Sequence, residues 1–489
     1  MILIMKEIVL SILCVLIIIN IQAQNSFEVH FNNNLLNEMP FVFVNDNDGG
    51  FAGIVKKTSI LDGAVNYYLY KISSDGDTSS VLFSKQDTSF RLGNLIRLNS
   101  EPPGYLLIGF GYTPEQGPFR NMTFLYRLND NLEIIWEKDF LFDYTYVAPA
   151  SEMMEDPNGD LLYCCTPQGP EMFLLKLSPY GDSLQFKEFQ GTEGGTIFSM
   201  TYSSDSSNIL LHTRTSIGIG FPECDIKKLD ENWNLVDVTY YPWDYVPPTT
   251  ATLLPSGKTL VNGCLLLGYR ECYLTAYLLD EDLSIQYEFS LNHTDTTSRA
   301  AYSYSADYYE WNTYIGGTFD LYFFHKQDHY PSWFYVAKVN DTLGTIFEKY
   351  IGGDAAYELH CIAAASDGGV LLAGTREELY NDTTQYDGII IKLDANGCIT
   401  NLEDHPNIEI KEVLVYPNPG SDKLNIRTAL DQCVFNLYDE NGKLILTYNV
   451  TDKQTSLPTS FLRSGKYIYT FSRNGSVIDS DVWIKSIHF

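Results

Sequence analysis

Repetition constrains this chain more than any other feature. An apolar strand carrying one basic residue, then a polar turn, recurs along it. The copies are Tyr70-Lys71-Ile72, Tyr126-Arg127-Leu128, Leu175-Lys176-Leu177, Lys227-Lys228-Leu229, Ala337-Lys338-Val339 and Ile391-Lys392-Leu393, with a degenerate one at Leu278-Leu279-Asp280. Counted from each third residue, and from Leu279 in the degenerate copy, the intervals are 56, 49, 52, 50, 60 and 54. A second marker is a turn that opens a strand. It reads Asp48-Gly49-Gly50, Pro103-Gly104, Asn158-Gly159, Ser207-Asn208, Ser256-Gly257, Trp311-Asn312 and Asp367-Gly368-Gly369, at intervals of 54, 55, 49, 49, 55 and 57. Two markers thus agree on seven units with one period. Gly and Asn suit these positions because tight hairpin turns need positive φ.

The seventh unit displays the plan. Strand A is expected over Glu358 to Ala365, strand B over Val370 to Thr375 and strand C over Gly388 to Asp394. Earlier units add a strand D, such as Leu132 to Phe140 or Gly344 to Tyr350. Four short antiparallel strands per repeat of roughly 50 residues describe a β-propeller blade. Helical repeats would need a 3.6-residue period, which is absent. The pattern resembles the seven-bladed propellers of secreted bacterial proteins with a DGG-type turn in each blade. The seventh unit lacks its strand D, and a spare strand, Phe27-Glu28-Val29-His30-Phe31, precedes the first unit. Residues 26–32 are therefore expected to complete blade seven and close the ring, since an unclosed ring would expose a long strand edge.

Composition narrows the partners. Lys and Arg number 32 against 62 Asp and Glu, a formal charge of −30. Such a surface repels phosphate backbones, so nucleic acid is excluded as a partner class. Residues 1–23 read as a signal peptide, with Lys6 before a short apolar run and Ala23 at the cleavage point. No later run is long enough for a transmembrane helix. Eight cysteines remain after the signal, dispersed and without a CxxC pair, so no structural zinc site is expected. Cys264 and Cys272 are placed to face each other across a hairpin, while adjacent Cys164 and Cys165 should point to opposite faces of one strand.

The pattern changes after Asn401. Residues 402–412 read as a linker and 413–489 as about six short strands with hairpin turns at Asn441-Gly442 and Asn474-Gly475, a small Ig-like β-sandwich. The segment carries Tyr416-Pro417-Asn418-Pro419, then Tyr438-Asp439-Glu440-Asn441-Gly442-Lys443, then Leu457-Pro458, then Ser464-Gly465-Lys466-Tyr467, then Lys485. In that order these motifs closely resemble the type A C-terminal sorting domain of the type IX secretion system. The resemblance implies export through the periplasm to the cell surface or the medium, with the secretion translocon as partner. It assigns the sorting signal to Tyr416, Pro417, Asn418, Pro419, Gly442, Gly465, Tyr467 and Lys485. The expected whole is all-β: a seven-bladed propeller over 24–401 followed by the sandwich.

Catalytic motifs are absent: there is no GxSxG, HExxH, P-loop or Rossmann turn. No cofactor, metal or enzymatic activity is expected. Propellers bind on the face made by the B-to-C and D-to-A loops, which here vary most. The loop candidates are Phe119, Arg120, Trp243, Tyr245, His325, His329, Tyr330 and Trp333, with Arg376 and Tyr380 beside them. Aromatic rings stack on sugars or apolar peptide side chains, and Arg offers a forked donor. The expected function is glycan or surface-protein binding. A propeller-type glycoside hydrolase or lyase is the alternative, and a structural surface component a third.

Overall fold

A computed structural model describes residues 26–399 and 413–485, except 32, 34, 47, 86–88, 113–120, 143–149, 167–170, 216–222, 243–244, 267–271, 292–296, 321–330, 380–384, 417–422, 429–432, 440–441, 452–453 and 474–475. The expected signal peptide and linker lie outside the described residues. The chain separates into two compact units, residues 1–403 and 404–489.

Among the described residues of the first unit the strands form seven antiparallel sheets, in a propeller-like arrangement. Their first strands are Leu36–Asn45, Ser89–Leu98, Ala150–Glu155, Thr196–Tyr202, Tyr245–Leu253, the split pair Ser298–Ala300 and Ala306–Tyr309, and Ala356–Ala364. Each first strand packs against the first strand of the next sheet, and that of sheet seven against that of sheet one. Seven apolar cores fill the spaces between neighbouring sheets. Second strands are buried on both faces. In sheet three Leu161–Thr166 has no exposed residue, with Cys164 in the core shared with sheet four and Cys165 in that shared with sheet two. The fourth strands are exposed, so the sheets are sealed inside and polar or mixed outside.

Sheet seven consists of Ala356–Ala364, Val370–Glu377, Tyr386–Leu393 and, at its outer edge, Phe27–His30 from the other end of the unit. The pairing runs Phe27 opposite Lys392 to His30 opposite Ile389. Phe27 and Phe31 are buried in the core between sheets seven and one, Phe31 edge-on to Tyr70 at 5.4 Å.

The basic residue of the repeat now has a cause. In three sheets it ties the third strand to the turn between the first two, while in sheet six Lys338 donates to Ala395 O. Lys176 Nζ donates to Asp156 at 2.7 Å and Lys392 Nζ to Asp367 at 2.6 Å, while Lys71 pairs with Asp46. In sheet two Arg127 instead donates to the carbonyls of Leu128 and Pro102. Asp46 also meets Arg97 at 3.0 Å, so its carboxylate is held by two cations of the protein.

The turn marker is only partly the φ marker. Gly49, Gly159, Gly257 and Gly368 are left-handed, as Gly permits. In sheets four and six the left-handed residues are Ser206 and Glu310, each two positions before the expected Asn. A third repeat signal lies in the turn after strand three. One residue there is left-handed in each sheet: Gly76, Leu132, Gly181, Trp233, Leu283, Leu343 and Gly397. The four large ones are buried. Burial of the side chain offsets a backbone strain of about 1–2 kcal/mol. An Asn, Asp or Ser three residues earlier satisfies the turn, as Asp230 accepts from Asn232 N and Asn234 N and Ser178 Oγ from Asp182 N.

The second unit is a two-sheet sandwich. One sheet holds Val413–Tyr416, Lys423–Thr428 and Gln454–Pro458, and the other Leu444–Val450, Cys433–Tyr438, Gly465–Arg473 and Ser476–Lys485. Alternating residues of both fill one core, in which Phe435, Leu437, Phe471 and Trp483 have no exposed surface.

Candidate functional site

Where the inner strands converge, six of the seven sheets break their ladder. Register shifts fall between Pro40 and Val42, Leu92 and Asn94, Ile197 and Ser199, Val246 and Thr250, and Leu359 and Cys361. Sheet six breaks altogether between Ala300 and Ala306. Bulges re-aim side chains and recur beside functional sites.

The break in sheet six sends residues 301–305 inward. Ser303 N donates to His360 O and Ile362 N to Tyr304 O, both at 2.8 Å, which fastens the segment to sheet seven. Tyr304 then reaches across to sheet two, its hydroxyl donating to Asn94 Oδ1 at 2.8 Å. Burial pushes the Tyr304 phenol well above its ordinary range, and the nearby Glu152 carboxyl adds to that.

Two carboxyls sit close to this crossing. Glu152, on the inner strand of sheet three, is pushed up to about 8 by burial. Asp307 is pushed up to about 6 by burial, although Ala364 N donates to it at 2.7 Å. A carboxyl whose folded pKa is raised keeps its proton in the native state after the unfolded chain has lost it. Stability therefore falls as pH rises from the ordinary carboxyl range through about 8 for Glu152. Glu152→Gln removes that loss. Its melting temperature should match wild type near pH 4, exceed it progressively up to about pH 8, and keep a constant margin beyond. A margin that does not change with pH would mean that Glu152 is well solvated.

Beside the crossing stands a layered trio. The Arg299 guanidinium lies 4.0 Å over the Tyr302 ring and donates to its hydroxyl at 2.9 Å. Tyr302 also stacks near His360, whose ring is 5.7 Å away at 22°. His360 is buried, meets Thr375 Oγ1 at 3.4 Å, and is pushed down to about 4 by burial and by Arg299, so it is neutral at physiological pH. Tyr302 keeps 49% of its surface exposed. Arg299 comes from Ser298–Ala300, which pairs with Phe319 just before the B-to-C loop, so the trio lies toward the loop end of sheet six. An exposed ring braced by a cation and an imidazole is a rigid stacking platform.

Of the loop candidates, Phe119, Arg120, Trp243, His325, His329 and Tyr330 lie outside the described residues, as does Tyr380. Tyr245 opens the inner strand of sheet five, and its side chain also lies outside them. Trp333 opens the third strand of sheet six, Trp333–Val339. It packs edge-on to Phe319 at 5.8 Å, against Gly353, and its buried Nε1 has no hydrogen-bond partner among the described residues. Arg376 is engaged within the protein, donating to Asp354 at 2.8 Å, Glu378 at 2.5 Å and the Tyr357 hydroxyl at 3.1 Å. Cys264 and Cys272 are diagonal rather than directly opposite: Cys264 pairs with Leu274 and Leu266 with Cys272.

Sequence reasoning missed Arg299, Tyr302, Tyr304, His360, Glu152 and Asp307. One signal was available. The longest marker interval, 60 residues, falls on the unit that carries the inserted Ala301-Tyr302-Ser303-Tyr304-Ser305.

In the sorting segment, Tyr416 ends its strand, and Pro417, Asn418 and Pro419 lie outside the described residues. Gly442 is left-handed in a hairpin turn closed by its N–H to Asp439 O at 3.0 Å. Gly465 and Lys485 are opposite each other at the ends of paired strands. Tyr467 stacks near Trp483 at 5.9 Å and its hydroxyl donates to Arg463 O at 2.8 Å. The signal residues described here thus also hold the turns and edges of the sandwich.

Among solved structures, the chain is similar to the polysaccharide lyase Uly1, at 10% identity over 77% of this chain and 93% of that one, with a TM-score of 0.43. It is similar to PorZ, a surface component of the type IX secretion system of Porphyromonas gingivalis, at 11% identity over 91% and 74%, TM-score 0.24. The WD40 domain of SCAP from fission yeast gives 8% identity over 76% and 98%, TM-score 0.37. No curated protein matches the chain. Residues 414–485 match the family model described as the secretion system C-terminal sorting domain. No helix among the described residues is long and apolar enough to cross a membrane. The C-terminal unit is therefore a secretion sorting domain of the type IX system, and the chain that carries it is exported to the cell surface or beyond.

Proposed function

We propose that the first unit is a seven-bladed ring latched by residues 26–32, and that it works outside the cell as a binding module for a glycan or a surface protein. The observation that carries this is Tyr302, an exposed ring braced by Arg299 and His360 at the loop end of the converging strands. A fixed aromatic face binds a sugar ring or an apolar side chain at little entropic cost. The guanidinium edge adds orientation. Trp333 and the loop aromatics Phe119, Trp243, Tyr245 and Tyr330, with Arg120, His325 and His329, would complete the surface. The translocon would read the tail, and the ring would be the cargo that does the work.

The second reading is a glycoside hydrolase or lyase. It is favoured by Glu152, a carboxyl that holds its proton up to about pH 8 beside Tyr304, as a general acid must.

The test is to incubate the exported protein with a glycan and surface-peptide library and to read retention and turnover together by mass spectrometry. Retention without new products is expected, and Tyr302→Ala should weaken it at least about tenfold, the loss of one good stacking contact. New products that vanish in Glu152→Gln would replace the binding reading with the enzymatic one. Retention unchanged by Tyr302→Ala would remove this platform from the site.

A further inference from the structure

We propose that Cys264 and Cys272 become joined by a disulfide when the protein is exported. The two residues lie on adjacent strands of sheet five, Thr259–Leu266 and Cys272–Leu279. Leu266 faces Cys272 and Cys264 faces Leu274, so both sulfurs lie on one face, one diagonal step apart. The two side chains are therefore near neighbours on that face. Diagonal neighbours start about 7–8 Å apart at Cα, against an upper limit near 6.8 Å for a relaxed disulfide. Cys272 is the first residue of its strand, so a small inward shift there disturbs one ladder position only.

The surroundings prepare the pair for reaction. Ala300 N donates to Cys264 Sγ at 3.3 Å and fixes it. Cys272 is partly exposed, which admits an oxidant. The hydrogen bond from Cys264, and then the charge of Arg299, draw the Cys272 thiol below its ordinary range. Burial instead pushes Cys164, Cys165, Cys224 and Cys361 up, and these lie unreactive in the cores. Export supplies the compartment in which disulfides persist.

The oxidant is a protein disulfide of the exporting compartment. The Cys272 thiolate attacks one of its sulfurs and releases the other as a thiolate, leaving a mixed disulfide. Cys264 then gives up its proton and attacks Cys272 Sγ, expelling the second oxidant sulfur. One Sγ–Sγ bond forms, and the oxidant leaves as a dithiol carrying the two electrons and two protons. The bond replaces the acidic thiol beside Arg299 and ties the end of Thr259–Leu266 to the start of Cys272–Leu279. It does not depend on what that platform binds.

The test uses the full chain recovered from the exporting cells or their medium. Its thiols are alkylated under denaturing conditions without reductant, and the peptides are mapped by mass spectrometry. A peptide pair linking Cys264 to Cys272, lighter by two hydrogens, is expected in most of the protein. In Cys264→Ser, Cys272 should be alkylated, and the parent should gain both labels after reduction. Two alkylated cysteines in the unreduced exported protein, or Cys272 linked elsewhere, would overturn the proposal.

Discussion

A chain lacking Ser26 to Asn32 should aggregate on expression, or melt far below the parent without a single cooperative transition. The segment supplies the outer strand of sheet seven from the opposite end of the unit, pairing along Phe27–His30. Its loss removes Phe27 and Phe31, both 7% exposed, from the core between sheets seven and one. Truncating one buried Phe typically costs about 3–5 kcal/mol. It also bares Tyr386–Leu393, an apolar strand whose Ile389, Ile390 and Ile391 are buried, as a new sheet edge. Bare apolar edges recruit other chains. Phe27→Ala with Phe31→Ala keeps the backbone pairing and separates the two effects: it should destabilise strongly while aggregating less. Melting that matches the parent after the deletion would mean that the strand is dispensable and the latch is wrong.

The repeat was legible in the sequence because a blade reuses one solution at each turn. The strands expected over Val370 to Thr375 and Gly388 to Asp394 are observed as Val370–Glu377 and Tyr386–Leu393. The spare strand at Phe27 could be placed because a missing partner implies a vacant edge. The sorting motifs could be read because their residues also serve hairpins and strand ends, which constrains their order. The platform was not legible. Tyr302 and Tyr304 sit in an insertion that breaks the period, and a period-based reading treats an insertion as noise. Glu152 looks like any other of the 62 acidic residues until the inner strands are brought together. His360 looks like a strand residue until the bulge beside Leu359 turns it toward Tyr302. Convergence arises only when the sheets are assembled side by side, and no local pattern encodes it.

Asp225→Ala should be among the most damaging single changes in the first unit, and a double replacement should undo the damage. Strand three of sheet four, Glu223–Leu229, buries both Asp225 and Lys227 at positions that are apolar or aromatic in the other sheets except at Thr275 of sheet five. The counterparts are Phe124 and Tyr126 in sheet two, Phe173 and Leu175 in sheet three, and Ile389 and Ile391 in sheet seven. Lys227 Nζ donates to the two carboxylate oxygens of Asp225 at 2.7 and 2.8 Å and to Thr213 Oγ1 at 2.9 Å. Taking two charges out of water costs as much as their attraction returns, so the pair adds little net stability. Removing one partner is different, because the other stays buried without its counter-charge. The expected loss for Asp225→Ala is about 3–5 kcal/mol, read as a shift of the urea midpoint at unchanged slope. Asp225→Phe with Lys227→Leu installs the side chains that sheet three carries at these places. That double variant should melt at or above the parent, since buried ion pairs are often replaced by apolar residues without loss. If the double variant were as unstable as the single one, the pair would be holding sheet four in register, and the repeat would not be interchangeable between blades.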